Sequence, residues 1–279
     1  GDLFINLTAC RLVKKKYPNC KLIFSVNEEY KDAIEILKLS EDIDDFIIWE
    51  NYANWPSESD KKKLQKLIQD GHRGRVFIPL PKHTIPDWYN YWHQTEEVCR
   101  MHQLMPPNEE EMRFNIPKPD LEKEKTITLC TARRADKEEK RRQEIFSFST
   151  NPKALELEQI EMVKKFAQKK GLKVIQIGGP EEEGVEGVER FEGDYSESVL
   201  KVLKSQFLVA ADTGMVWGAS AFSHPVVGLY SWSYYANATS CMGWIAKNAN
   251  QISIQGENMR DITAPMVEEA MTNLYNKNY

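Results

Sequence analysis

The sequence predicts an α/β fold made of parallel sheet in two successive halves, on three observations. Short apolar runs alternate with helix-period segments along nearly the whole chain, and strand-helix alternation of this kind builds parallel sheets. Two runs, Phe207-Leu208-Val209-Ala210-Ala211 and Pro225 to Tyr230, are apolar throughout, as strands buried on both faces are. The alternation breaks once, over residues 106–125, which hold four prolines and many charges without an apolar period.

Taken in order, Leu3, Leu7, Cys10 and Val13 fall at helical spacing, so the first element is a helix. A parallel domain ordinarily opens on an internal strand, so a strand and its turn, on the order of ten residues, are expected ahead of Gly1. Leu22 to Val26 reads as a strand, Tyr30 to Leu37 as a helix, Phe46 to Trp49 as a strand and Asp60 to Ile68 as a charged helix. Arg75 to Pro79 is a further strand. Lys82 to Trp92, rich in Pro, Trp and Tyr, reads as a loop that closes over something or packs on a partner domain, and His93 to Leu104 is helical again. This gives a first domain over 1–115, a linker over 116–125 and a second domain over 126–279. In the second, Thr126 to Cys130 and Lys173 to Ile177 read as strands, and Leu155 to Gln168 and Ser196 to Lys204 as helices, ahead of the two apolar strands named above.

At 279 residues, with 41% hydrophobic and 28% charged content, the chain can bury two compact cores. A net charge of −5 argues against a general nucleic-acid binder. No apolar run is long enough to cross a bilayer. Five cysteines without C-x-x-C spacing suggest neither a zinc site nor a disulfide framework, and fit a reducing compartment.

Chemistry concentrates where strands end. Asp212-Thr213-Gly214 turns directly from a strand into a helix-sized segment, and backbone N–H groups at such a helix start can hold a phosphate. Gly214 lets a ligand approach the backbone and Thr213 adds a hydroxyl; alone, the tripeptide also reads as an ordinary cap and turn. A second strand-loop, Gly178-Gly179-Pro180-Glu181-Glu182, lies about thirty residues upstream. A third follows Cys130, where Arg133, Arg134, Lys137, Lys140, Arg141 and Arg142 put six cations in ten positions. A solvated loop is one reading of that mixture; the sharper one is Arg134 or Lys137 facing a diphosphate. All three loops are expected on one edge of one sheet.

Together these loops resemble the family 9 glycosyltransferases, whose best-known members are the bacterial lipopolysaccharide heptosyltransferases. The similarity runs over nearly the whole chain: Gly1-Asp2 and the helix ending in Tyr17-Pro18, Thr131 to Lys137, the Gly178 to Glu182 loop, and Asp212-Thr213-Gly214 with His224 to Tyr230. It implies the GT-B architecture, two Rossmann-like domains facing across a cleft, with the donor held by the C-terminal one. It implies an inverting, metal-independent enzyme that moves a heptose-like sugar from a nucleotide-diphosphate sugar, an ADP-sugar by preference, to a glycan or lipid-linked acceptor. Carried over by residue, Asp2 is the general base, while Lys137, with Arg134 as the alternative cation, Thr213 and the Gly214 N–H hold the diphosphate. Glu182 meets the ribose or base, and Thr131, Gly178, Asp212 and Trp217 complete the donor set. No cofactor and no nucleic-acid partner are implied. The expected location is cytoplasmic, at the inner membrane face if the acceptor is a lipid.

The chain departs from that pattern in three places. Trp217 stands where a His is usual, Glu138 to Arg142 replaces a Trp-Pro, and Ser231-Trp232-Ser233 replaces a Gly-Pro-Thr turn. Two alternatives stay open on these grounds: a nucleotide-sugar-binding protein with weakened turnover, and a GT-B nucleotide-sugar epimerase.

Overall fold

The computed structural model describes residues 2–50, 57–71, 99, 104–113, 116–132, 153–180, 182–233 and 245–279. The expected strand 75–79, the loop 82–92, nearly all of the helix 93–104 and the cationic run 133–142 lie outside these residues.

The first half opens on two helical pieces, α1 (Asp2–Ile5) and α2 (Leu7–Lys16), which divide at Asn6 the single helix expected from the spacing. Its described strands, β1 (Ile23–Asn27) and β2 (Asp45–Trp49), pair in parallel from Ile23↔Asp45 to Asn27↔Trp49. Between them the expected helix is a 3-10 stretch, Glu28–Ala33, followed by α3 (Ile34–Leu37). Tyr30, at φ −117° and ψ 15°, leaves helical geometry and breaks the run. The charged helix is α4 (Glu58–Gln69).

The second half is one six-stranded sheet. Residues 116–125 enter it without helix or strand, and the chain continues as β3 (Thr126–Cys130), α5 (Leu157–Lys170), β4 (Lys173–Ile177) and β5 (Glu189–Phe191). Then come α6 (Tyr195–Lys204), β6 (Phe207–Ala211), α7 (Gly214–Ala221), β7 (Val226–Ser231), β8 (Gln251–Gly256) and α8 (Ala264–Asn278). All strand pairs are parallel, in the order β5-β4-β3-β6-β7-β8. Helix ends follow local chemistry. Asp194 and Glu197 cap α6 reciprocally, with Glu197 N donating to Asp194 Oδ1 at 2.8 Å and Asp194 N to Glu197 Oε2 at 2.9 Å. Gly171, at φ 65°, ends α5 in the left-handed conformation that a glycine adopts without strain.

Strand alternation sends side chains to two apolar layers. Ile127, Leu129, Phe207, Val209, Val227 and Leu229 face α5 and α8. Leu208, Ala210, Ile175, Ile177, Val226 and Tyr230 face the other way, into a layer that also takes Phe4, Leu7, Val26, Ile36 and Leu37 from the first half. The two halves therefore share a core where α1 meets α7 and α3 meets α6. Hydrogen bonds fasten the second contact: Ile36 N donates to Ser196 Oγ at 3.2 Å, and Ser196 Oγ donates to the carbonyl of Asp32. Within the second half, Gly218 lets α7 pack closely on α6, because a Cβ would stand 2.9 Å from both Tyr195 Oη and Val199 Cγ2.

At the opposite edge of the sheet from the strand ends, His224 is fully buried, with Nε2 3.4 Å from Ser205 Oγ. Burial, and then the charges of Lys123 and Lys118, push its pKa well below the ordinary 6.5. Below that ordinary value the unfolded chain binds a proton that the folded chain refuses. Stability is then lost as pH falls from 6.5 toward the depressed folded value, by up to about 1.4 kcal/mol per pH unit. Urea midpoints between pH 7 and 5 are expected to fall less steeply for His224→Gln than for the native chain. Identical slopes would show that this imidazole is not the source.

Candidate functional site

The strand order fixes where a ligand can sit. From β3 the chain builds outward to β4 and β5, then returns to the other side of β3 for β6, β7 and β8, so the winding reverses between β3 and β6. In open α/β sheets the crevice beyond the carboxyl ends of the strands at such a reversal is the ligand site. Leu129 pairs with Gln176 and Cys130 with Ala210, so β4, β3 and β6 end side by side. The loops that start at Thr131, Gly178 and Asp212 consequently leave from one edge.

Each loop is fixed by its own chemistry. Thr131 is fully buried and its carbonyl accepts Leu155 N at 2.9 Å, which returns the chain to the end of β3 before α5 begins. Ala132 turns off the strand at φ 54°, a left-handed backbone that costs a non-glycine residue energy. On the second loop, a Cβ at Gly178 would lie 2.6 Å from Glu182 Oε2, so the carboxylate rests directly on the glycine backbone. On the third, Thr213 is the N-cap residue of α7 with extended backbone, φ −138° and ψ 169°, and its side chain does not cap the helix. Thr213 Oγ1 instead lies 3.6 Å from Cys130 Sγ. The Gly214 carbonyl accepts Tyr195 Oη at 2.7 Å, which anchors the helix start to α6.

Asp212 reveals a residue that the sequence reading passed over. Its carboxylate, 9% exposed, pairs with Lys153 Nζ at 2.6 Å. Lys153 thus stands at the mouth of the site between the β3 and β6 loops, at 20% side-chain exposure. The signal was present: Lys153 lies two residues before Leu155, in the turn that feeds α5, but the denser cations at 133–142 drew the assignment. Arg134 and Lys137 belong to that run and lie outside the described residues.

Three further residues are placed by the fold. Cys130 is buried, and its thiol is pushed up to about 12, first by burial and then by the charge of Glu182; it is no nucleophile at neutral pH. Trp217 is 4% exposed, its indole packed in the core the halves share, so it supports α7 from beneath. Asp2 is the first residue of α1, which packs on α7, and the Phe4 ring lies 6.1 Å from that of Tyr195. Among the described residues, no group of three or more His, Cys, Asp or Glu side chains is placed to hold a metal ion.

No protein-family model and no curated protein sequence matches the chain. Its fold does have relatives. A glycosyl transferase of family 9 from Veillonella parvula DSM 2008 superposes with a TM-score of 0.71 at 12% identity, over 99% of this chain and 94% of that one. The E. coli ADP-heptose lps heptosyltransferase II superposes at 0.65 with 14% identity, over 99% and 96%. The E. coli heptosyltransferase WaaC with ADP does so at 0.61 with 14% identity, over 98% and 96%. The chain therefore has the GT-B fold of these enzymes over nearly its whole length.

Proposed function

We propose that the chain is an inverting glycosyltransferase that moves a heptose-like sugar from a nucleotide-diphosphate sugar to a glycan or lipid-linked acceptor without a bound metal. The observation that carries this is the meeting of three strand-end loops at the winding reversal, with Lys153, Thr213 and the start of α7 gathered there. An ADP-sugar is the favoured donor because one similar structure is of an enzyme named for ADP-heptose and another is described with ADP.

In this reading Asp2 takes the proton of the acceptor hydroxyl as its oxygen bonds to the anomeric carbon. The bond from that carbon to the diphosphate oxygen breaks, and the nucleoside diphosphate leaves. Lys153, the Thr213 hydroxyl and the Gly214 N–H meet the negative charge that develops on the leaving group. Thr131, Arg134 and Lys137 belong to the same phosphate side, while Gly178 and Glu182 face the ribose or base. Asp212 holds Lys153 in place and Trp217 supports the helix. A lipid acceptor would bring the enzyme to the cytoplasmic face of a membrane as a peripheral protein. No helix among the described residues is long and apolar enough to cross one.

A panel of nucleoside diphosphates and their sugars tests the reading, because a ligand bound only by the folded state raises its melting temperature. ADP and an ADP-sugar are expected to stabilise the chain, by about 2.7 kcal/mol at a hundred times the dissociation constant. No shift with any member would overturn the assignment. Stabilisation without transfer would mark a binding protein, and isomerisation of the donor alone an epimerase.

A further inference from the structure

We propose that Gln176 and Arg190, register partners on β4 and β5, are positioning residues that set the affinity for the nucleoside end of the donor by fixing the 178–185 loop. The inference rests on the donor reading above, which gives Glu182 to the ribose or base.

The two side chains lie next to each other on one face of the sheet, because Gln176 pairs with Arg190 across the ladder. Between them they take four backbone groups of the loop. Gln176, fully buried, donates from Nε2 to the Glu183 carbonyl at 2.8 Å and accepts Val185 N on Oε1 at 2.8 Å. Arg190 donates from Nη1 to the Glu182 carbonyl at 2.8 Å and from Nη2 to the Gly179 carbonyl. Across the turn, Glu182 N donates to the Gly179 carbonyl at 3.0 Å.

Val185 packs against the apolar layer beneath the sheet, but Glu183 and Gly184 are exposed, so apolar packing does not reach the tip of this segment. Its shape depends on the polar latch. A guanidinium presents its donors in a rigid fork that brackets two carbonyls at once, which a lysine ammonium cannot do in a fixed geometry. Both carbonyls that Arg190 brackets flank the turn that lays the Glu182 carboxylate on Gly178. Arg190 therefore acts through Glu182.

Calorimetric titration of the native chain, Arg190→Met, Arg190→Lys and Gln176→Met with ADP, adenosine and inorganic pyrophosphate tests this. ADP and adenosine affinities are expected to fall together, by about tenfold for Arg190→Met, as befits loss of hydrogen bonds from a charged donor. Arg190→Lys should regain part of the loss, and pyrophosphate should bind within twofold of native throughout. ADP affinity within twofold of native in Arg190→Met would overturn the proposal, as would pyrophosphate binding lost in step with ADP, since a general disturbance would do that. If Arg190→Met does not fold, Arg190→Lys decides on the same two comparisons. A native chain that binds none of the three ligands refutes the donor reading itself.

Discussion

Asp2→Asn is expected to lower the rate of sugar transfer by about 10²–10⁴-fold, the usual contribution of a positioned general base, while ADP binds with unchanged affinity. Asn keeps the size and shape of the side chain at the first residue of α1, so α1 should persist. What it loses is the ability to accept a proton from the attacking hydroxyl. The proposal starts from the position of α1, which packs on α7, and from the Phe4 ring beside Tyr195, whose hydroxyl holds the Gly214 carbonyl at the helix start assigned to the diphosphate. Initial rates of ADP release with donor and acceptor, beside an ADP titration, separate the two effects. Equal rates in the variant and the native chain would remove Asp2 from the reaction.

Lys153→Met is expected to weaken ADP binding by roughly ten- to a hundredfold, the range for losing a hydrogen bond to a charged group. Two contributions mix in that figure, because the substitution also strands the Asp212 carboxylate, 9% exposed, beside an incoming phosphate. The double variant Lys153→Met with Asp212→Asn resolves them. If Lys153 served only to neutralise Asp212, the second substitution would restore affinity; if its ammonium meets the phosphate, binding stays weak. Asp212→Ala alone should also weaken ADP, by releasing Lys153 and loosening the loop. Native affinity in both single variants would sink the assignment of the pocket.

The parts of the fold that sequence revealed are those where burial alone selects the residues. Thr126–Cys130, Lys173–Ile177 and Phe207–Ala211 lie at the expected positions, because interior parallel strands are mostly apolar, with Thr128 and Gln176 as buried polar exceptions. β5 escaped notice because Glu189-Arg190-Phe191 is a three-residue edge strand without an apolar run. β8 is an edge strand whose Ile252 and Ile254 are spaced by polar residues, and α8 follows a Thr-Ala-Pro start that no motif brought into view. At the site, the strand-to-loop junctions at Cys130, Gly178 and Asp212-Thr213-Gly214 are visible in the pattern, whereas the roles given to Thr131 and Glu182 come from the family resemblance. Lys153 could not be matched to Asp212, since 59 residues separate them and only the pairing of β3 with β6 brings them together. Trp217, a donor contact by the resemblance, is placed by burial: its large indole, 4% exposed, packs in the core that the halves share.

The apolar seam from Phe4, Ile36 and Leu37 to Trp217 has a thermal consequence. Neither half can melt without uncovering greasy surface on the other, so heat should dissolve both in a single cooperative event. Cutting the chain within 116–125 would leave two pieces that cling together instead of two free modules.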